Sequence, residues 1–238
     1  MKRHALYISL IFAATLAGCK KEEAQKPKVS YENTSKPKSE SSSDTTQIEV
    51  ADLPVNMEGT NFLIHPIGVM TGSPRGSKSS SDAEPSFTVS NYGEFQITGY
   101  LKNLKFQEIG KDSIYALTDK PMLIETATYL KNFADKSKQQ LMVYSLADMD
   151  TNKDGKLDSS DIKSLYISTI SGQKFTKLSP ELQELIDWKI LESKNLLYFR
   201  TVQDASKNGE FGRNDIVHYF YVSLADKEWK PIEFFPVE

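Results

Sequence analysis

Two twelve-residue stretches, 54 positions apart, constrain this chain more than anything else in it. The first, DTNKDGKLDSSD, runs from Asp150 to Asp161, and the second, DASKNGEFGRND, from Asp204 to Asp215. Each begins and ends in aspartate, places glycine sixth (Gly155, Gly209) and carries an apolar residue eighth (Leu157, Phe211). The same offset matches Tyr144 with Tyr198, Lys153 with Lys207, Ile162 with Ile216, Tyr166 with Phe220, and Phe175 with Trp229. A gapless correspondence of this kind is an internal repeat, about 141–178 and 195–232. Periods of this order, slightly beyond the usual 20 to 50 residues, build stacked or blade-like architectures.

In the first stretch, oxygen-bearing side chains recur at positions one, three, five, nine and twelve: Asp150, Asn152, Asp154, Asp158 and Asp161. Position seven, Lys156, contributes its carbonyl. This spacing resembles the EF-hand calcium loop, and the chemistry explains it. Calcium takes six to eight oxygens at about 2.3–2.6 Å, so the chain must wrap round the ion and turn alternate side chains inward. The glycine permits the sharp bend. One departure is Asp161, where the EF-hand has a glutamate that reaches the ion with both oxygens. Aspartate also closes dockerin repeats and other bacterial calcium loops, and its shorter arm lowers affinity or admits Mg²⁺. The resemblance implies Ca²⁺ as the ligand. In the second stretch the corresponding set is Asp204, Ser206, Asn208, Glu210 and Asp215, with fewer carboxylates among its ligands. That loop is either a weaker second metal site or a decayed loop kept for its shape, with Gly209 serving the bend and Asn208 bonding to the backbone.

An EF-hand proper is flanked by helices. Here DIKSLYISTISG, after the first loop, is ambiguous, but its echo IVHYFYVSL and the preceding LLYFRTVQ are dense in β-branched and aromatic residues. Each unit therefore reads as strand, cation loop, strand. FTVSNYGEFQITGYL, MLIETATYL and LMVYSLA read as further strands. A helical turn or two is expected from Ser179, where Ser-Pro-Glu-Leu-Gln-Glu-Leu-Ile offers an N-cap and a proline at the first helical position. The fold class is mainly β, with antiparallel sheets and two EF-hand-like loops between strands. Leu165-Tyr166-Ile167-Ser168, Ser171 to Leu178, Trp188-Lys189-Ile190 and Leu196 to Phe199 also resemble the blades of TolB-like propellers. The folded part holds too few units for a closed ring, so an open blade-like stack or sandwich is expected.

The chain opens MKRHALYISLIFAATLAGC, a basic start followed by an apolar run of roughly thirteen residues and then small residues, the layout of a secretory signal. A membrane span needs about 20. Leu16-Ala17-Gly18-Cys19 resembles the lipobox of bacterial lipoproteins, and Cys19 is the only cysteine. The resemblance implies cleavage before Cys19, its lipidation and stable membrane anchorage. Residues 20 to 47, rich in Lys, Glu, Ser and Pro, cannot bury enough surface to offset their ordering entropy and read as a flexible tether. Glu22-Glu23 looks like the export signals that send some Bacteroidota lipoproteins to the outer membrane's outer face. The folded domain is expected over 48–238, interrupted by an exposed loop from Thr71 to Pro85. Removing residues 1–18 takes away Lys2 and Arg3 and moves the formal charge from −3 to −5, which argues against nucleic acid as a partner.

No nucleophile elbow, phosphate loop or His/Cys cluster appears, so no catalytic residue is assigned. His65 and His218 are expected to be packed or surface residues rather than catalytic bases. Tyr219, Tyr221, Trp229, Phe234 and Phe235 are expected to pack in the core rather than line a ligand groove. The reading is a non-enzymatic, calcium-binding lipoprotein tethered through Cys19 to an outer membrane, on its periplasmic or surface face. The alternatives are a dockerin-like docking module, which needs helical flanks, and a surface hydrolase or glycan binder.

Overall fold

The computed structural model describes residues 26–31, 47–71 and 87–237. Cys19, the signal, most of the tether and nearly all of the Thr71–Pro85 loop lie outside the described residues. In chain order the elements are β1 (Gln47–Ala51), β2 (Val55–Asn56), β3 (Phe62–Thr71), β4 (Ser90–Gly93), β5 (Gln96–Leu101), β6 (Asn103–Glu108), β7 (Ile114–Ala116) and β8 (Leu123–Tyr129). Then follow α1 (Lys131–Ser137), β9 (Leu141–Ala147), β10 (Ser164–Thr169), β11 (Thr176–Lys177), β12 (Gln183–Leu191), β13 (Leu196–Gln203), β14 (Ile216–Ser223) and β15 (Ile232–Phe234).

These strands form three sheets in which every pairing is antiparallel. The first runs β1-β3-β6-β7, with β2 also on β3; the second runs β11-β10-β9-β8-β5-β4; the third runs β12-β13-β14-β15. One sheet curls into half a barrel. The mainly β, antiparallel expectation holds.

The second sheet feeds two hydrophobic cores, and β9 shows why. Its residues LMVYSLA are buried almost throughout. Side chains alternate faces along a strand. Met142, Tyr144 and Leu146 enter one core with Ile64, Leu104 and Phe106 of the first sheet. Leu141 and Val143 enter the other, with Leu165 and Ile167 of β10 and Leu197, Phe199 and Val222 of the third sheet. A nearly continuous apolar run, broken here only by the partly buried Ser145, is what a strand covered on both faces requires. Each fully buried large side chain contributes about 1.5–3 kcal/mol.

Both predicted hairpins are present as strand, loop, strand: β9 with β10 and β13 with β14. Their registers differ by one step. Tyr144 faces Tyr166, whereas their offset mates Tyr198 and Phe220 face Tyr221 and Phe199.

The helix expected from Ser179 does not form. The Ser179 hydroxyl accepts the Leu165 amide of β10 at 3.0 Å instead of capping a helix. Leu182 turns with φ +56°, and from Gln183 the chain pairs with β13. The unforeseen helix is α1, two turns that bury Phe133 and Ala134 and end at Lys138 in the left-handed conformation. The aromatic residues divide. Trp229 is in the second core. Tyr219, Tyr221 and Phe234 are only partly buried and cluster with Tyr198, whose ring lies 5.9 Å from Tyr221 and 5.6 Å from Phe234. In β13 and β14 the alternate residues Leu197, Phe199, Phe220 and Val222 face the core, so this cluster occupies the outer face of the third sheet. Phe235 is 81% exposed. The core-packing expectation thus holds for Trp229 but not for the other four.

Candidate metal centre

Both twelve-residue loops fold into the same hydrogen-bond mesh. At position one, Asp150 Oδ2 accepts the Gly155 amide at 2.8 Å and Asp204 Oδ2 the Gly209 amide at 2.7 Å. Their Oδ1 atoms accept the amides of Asp154 and Asn208, each at 3.2 Å. At position five, Asp154 Oδ1 and Asn208 Oδ1 accept the amides of Lys156 and Glu210, each at 2.8 Å. At position twelve, Asp161 closes the loop on the amides of Thr151 (2.7 Å) and Asp158 (3.0 Å). Asp215 does the same with Ala205 (3.1 Å) and Gly212 (2.7 Å). The backbone angles agree as well: φ is +59° at Lys153 and +58° at Lys207, then +87° at Gly155 and +84° at Gly209. The sixth position therefore needs glycine in both loops.

The first loop has further ties. Asn152 Oδ1 accepts the Asp154 amide at 2.9 Å, and its amide group donates to the Ser160 hydroxyl at 2.8 Å. Asp158 accepts both the amide and the hydroxyl of Ser160, and these bonds hold its carboxyl below the usual range. Asp161 is fully buried, so its two accepted amides make it the clasp of the loop. In the second loop, burial works to raise the Asp204 carboxyl. The Gly209 amide, the Ser206 hydroxyl and the Asn208 and Lys207 amides outweigh it and hold the group low. Among the described residues no three His, Cys, Asp or Glu side chains converge as a ready-made cage. The side-chain oxygens are turned onto the loops' own amides.

A short piece of the predicted tether, Lys28 to Tyr31, lies across both loops. The Lys28 amide donates to the Ser160 carbonyl (2.9 Å), Val29 to Gly209 (3.1 Å) and Ser30 to Thr151 (2.8 Å). The Thr151 hydroxyl returns a bond to the Lys28 carbonyl at 2.9 Å and accepts the Ile162 amide at 3.0 Å. Val29 is buried, and Lys28 pairs with Glu210 at 2.9 Å. The Tyr31 hydroxyl donates to Asp204; burial and that carboxylate raise its pKa. Here the structure departs from the tether expectation. The polar composition hid a single buried valine and a run of backbone bonds that composition cannot register. The only sequence signal was Val29 itself, with Thr151 at the second loop position.

At the entrance to the first loop, Asp148 accepts the Tyr166 hydroxyl at 2.6 Å and the Lys177 ammonium at 2.8 Å. Burial works to raise Asp148, but these two partners hold it below the usual range; burial of the Tyr166 hydroxyl, together with the Asp148 carboxylate it donates to, pushes Tyr166 up. At the exit, Glu184 Oε2 accepts the Lys163 amide at 2.6 Å, and burial pushes its carboxyl up to about 7. His65 and His218 stand apart from the loops. His65 Nε2 is 3.2 Å from Gln107 Oε1, and His218 lies 2.7 Å from Glu233 and 3.0 Å from Gln203. Both loops are flanked by strands on either side, so the helical flanks of a dockerin-like module are missing.

Comparison with protein-family models, with curated proteins and with solved structures found no match to this chain.

Proposed function

We propose that this chain is an exported, lipid-anchored, non-enzymatic protein whose first loop binds calcium and whose second loop is a weaker companion. The ion is held by Asp150, Asn152, Asp154, Asp158 and Asp161 with the Lys156 carbonyl, and it stiffens the junction of two hairpins. The supporting observation is the shared mesh: two loops of different sequence orient their side-chain oxygens with the same backbone amides. Amides that fix a ligand's orientation from behind are what an oxygen-ligand site needs. The first loop also gathers four carboxylates within twelve residues, a repulsion that a divalent cation relieves. Anchorage at Cys19, on either face of an outer membrane, completes the reading.

A ligand that binds only the folded state stabilises it by about 2.7 kcal/mol at a hundredfold excess over Kd. For a chain of this size that raises Tm by roughly 5–10 °C. Titration calorimetry of the full chain with calcium should give saturable heat that Asp150→Ala removes, while Asp204→Ala leaves the main event in place. Absence of heat at millimolar calcium would defeat the proposal.

A further inference from the structure

Beside the first loop lies a cleft of about 710 Å³, within the roughly 300–1,000 Å³ of small-molecule sites. Four lysines line it: Lys102 between β5 and β6, Lys105 within β6, Lys120 in the β7–β8 connection, and Lys156 of the loop itself. Among the described residues, none of the four is in an ion pair. Three carboxylates, Glu49, Asp119 and Asp158, share the lining, which also has an apolar part that includes Ile67, Met122, Leu123 and Leu157. The four lysines outnumber the three carboxylates by one, so the cleft is locally positive in a chain of net negative charge.

The walls are held in place. Asn103 donates to the Thr118 carbonyl at 2.8 Å, which fixes the connection bearing Asp119 and Lys120 against the strand bearing Lys105. The Leu117 amide bonds Leu104 and the Lys102 amide bonds Ile67, both at 2.8 Å. The first loop is closed by its own mesh.

We infer that this cleft binds an anionic oligosaccharide. Ammonium groups act as point charges for sulfate, phosphate or carboxylate. The interspersed carboxylates suit the hydroxyls of sugar rings, which a simple anion lacks. No aromatic side chain lines the cleft, so a nucleobase finds no stacking surface there. The site does not require metal in the neighbouring loop.

The test is titration calorimetry of the full chain with a heparin-derived sulfated hexasaccharide at low salt, with maltohexaose, inorganic sulfate and phosphatidylglycerol vesicles as comparison probes. The sulfated hexasaccharide should bind saturably, in EDTA as well as in calcium. Its Kd should weaken at least tenfold in Lys102→Gln/Lys105→Gln/Lys120→Gln and in high salt, and maltohexaose should be silent. The inference is overturned if the hexasaccharide gives no saturable heat or if the triple variant binds like wild type. It is equally overturned if inorganic sulfate or the vesicles bind as well as the hexasaccharide. Because the EDTA arm reads the cleft alone, its result separates this inference from the calcium reading.

Discussion

Gly155 and Gly209 share a backbone angle but not an environment. A β-carbon at Gly155 meets nothing within 4 Å, whereas one at Gly209 falls 2.6 Å from the Val29 carbonyl oxygen. Left-handed backbone penalises a non-glycine residue by about 1–2 kcal/mol. Gly155→Ala should therefore lose about that much stability in urea unfolding. Gly209→Ala should lose visibly more, because it also pushes the N-terminal segment off the loop. Repeating both in a chain lacking residues 1–31 should bring the two losses together; a persisting gap would mean that Val29 is not the source. The glycine bend was legible from residue types, but the turning of the aspartate oxygens onto the loops' own amides was not anticipated. Nor was the segment laid across the loops, because Lys28 and Ser30 bind through backbone atoms that every residue has.

Among the elements, β12 carries the clearest conflict between local and distant preference. Ser179, Pro180 and leucines at suitable spacing favour a helix, yet Leu185 joins the second core and the strand pairs with β13 along its length. Tertiary pairing overrides a weak local signal. β9, by contrast, was legible because burial on both faces leaves a single polar position, Ser145, to blur the pattern. α1 was not, since seven largely polar residues with no side-chain cap carry almost no periodic information. The Glu184 carboxyl in β12 gives a pH signature. Its pKa is 4.5 in the unfolded chain and about 7 when folded. Folding thus favours the protonated form, and the Glu184 contribution to stability is full below about pH 4.5 and is lost as pH rises through 7. Each unit is worth about 1.4 kcal/mol, so roughly 3 kcal/mol is involved. Glu184→Gln keeps an acceptor for the Lys163 amide and should flatten denaturation midpoints between pH 4.5 and 8. Unchanged pH dependence would exclude Glu184 as its origin.

For the whole molecule, the decisive feature is that the second sheet belongs to both cores. Neither core can empty without stripping one face of β9. The chain should therefore unfold in a single transition. Trp188 and Trp229 both sit at the second core, so fluorescence reports on that side alone. Ile64→Ala, deep in the first core, should nonetheless lower the fluorescence midpoint, by about 2–5 kcal/mol of stability. Val222→Ala in the second core should move the same transition. Separate fluorescence and circular dichroism transitions would mean two independently melting halves. The repeat in the sequence pointed to stacked hairpins but not to this sharing, because a one-step register difference between equivalent strands is invisible to residue matching.

The segment from Lys28 to Ser30 also decides how the molecule responds to a pull. Tension arriving from the N-terminal end meets the Ser160, Gly209 and Thr151 carbonyls before it reaches β1, and so loads both loops first. Anything that rigidifies those loops raises the force needed to peel the segment away. The three backbone bonds of that segment would then act as a mechanical fuse, giving way ahead of the three sheets.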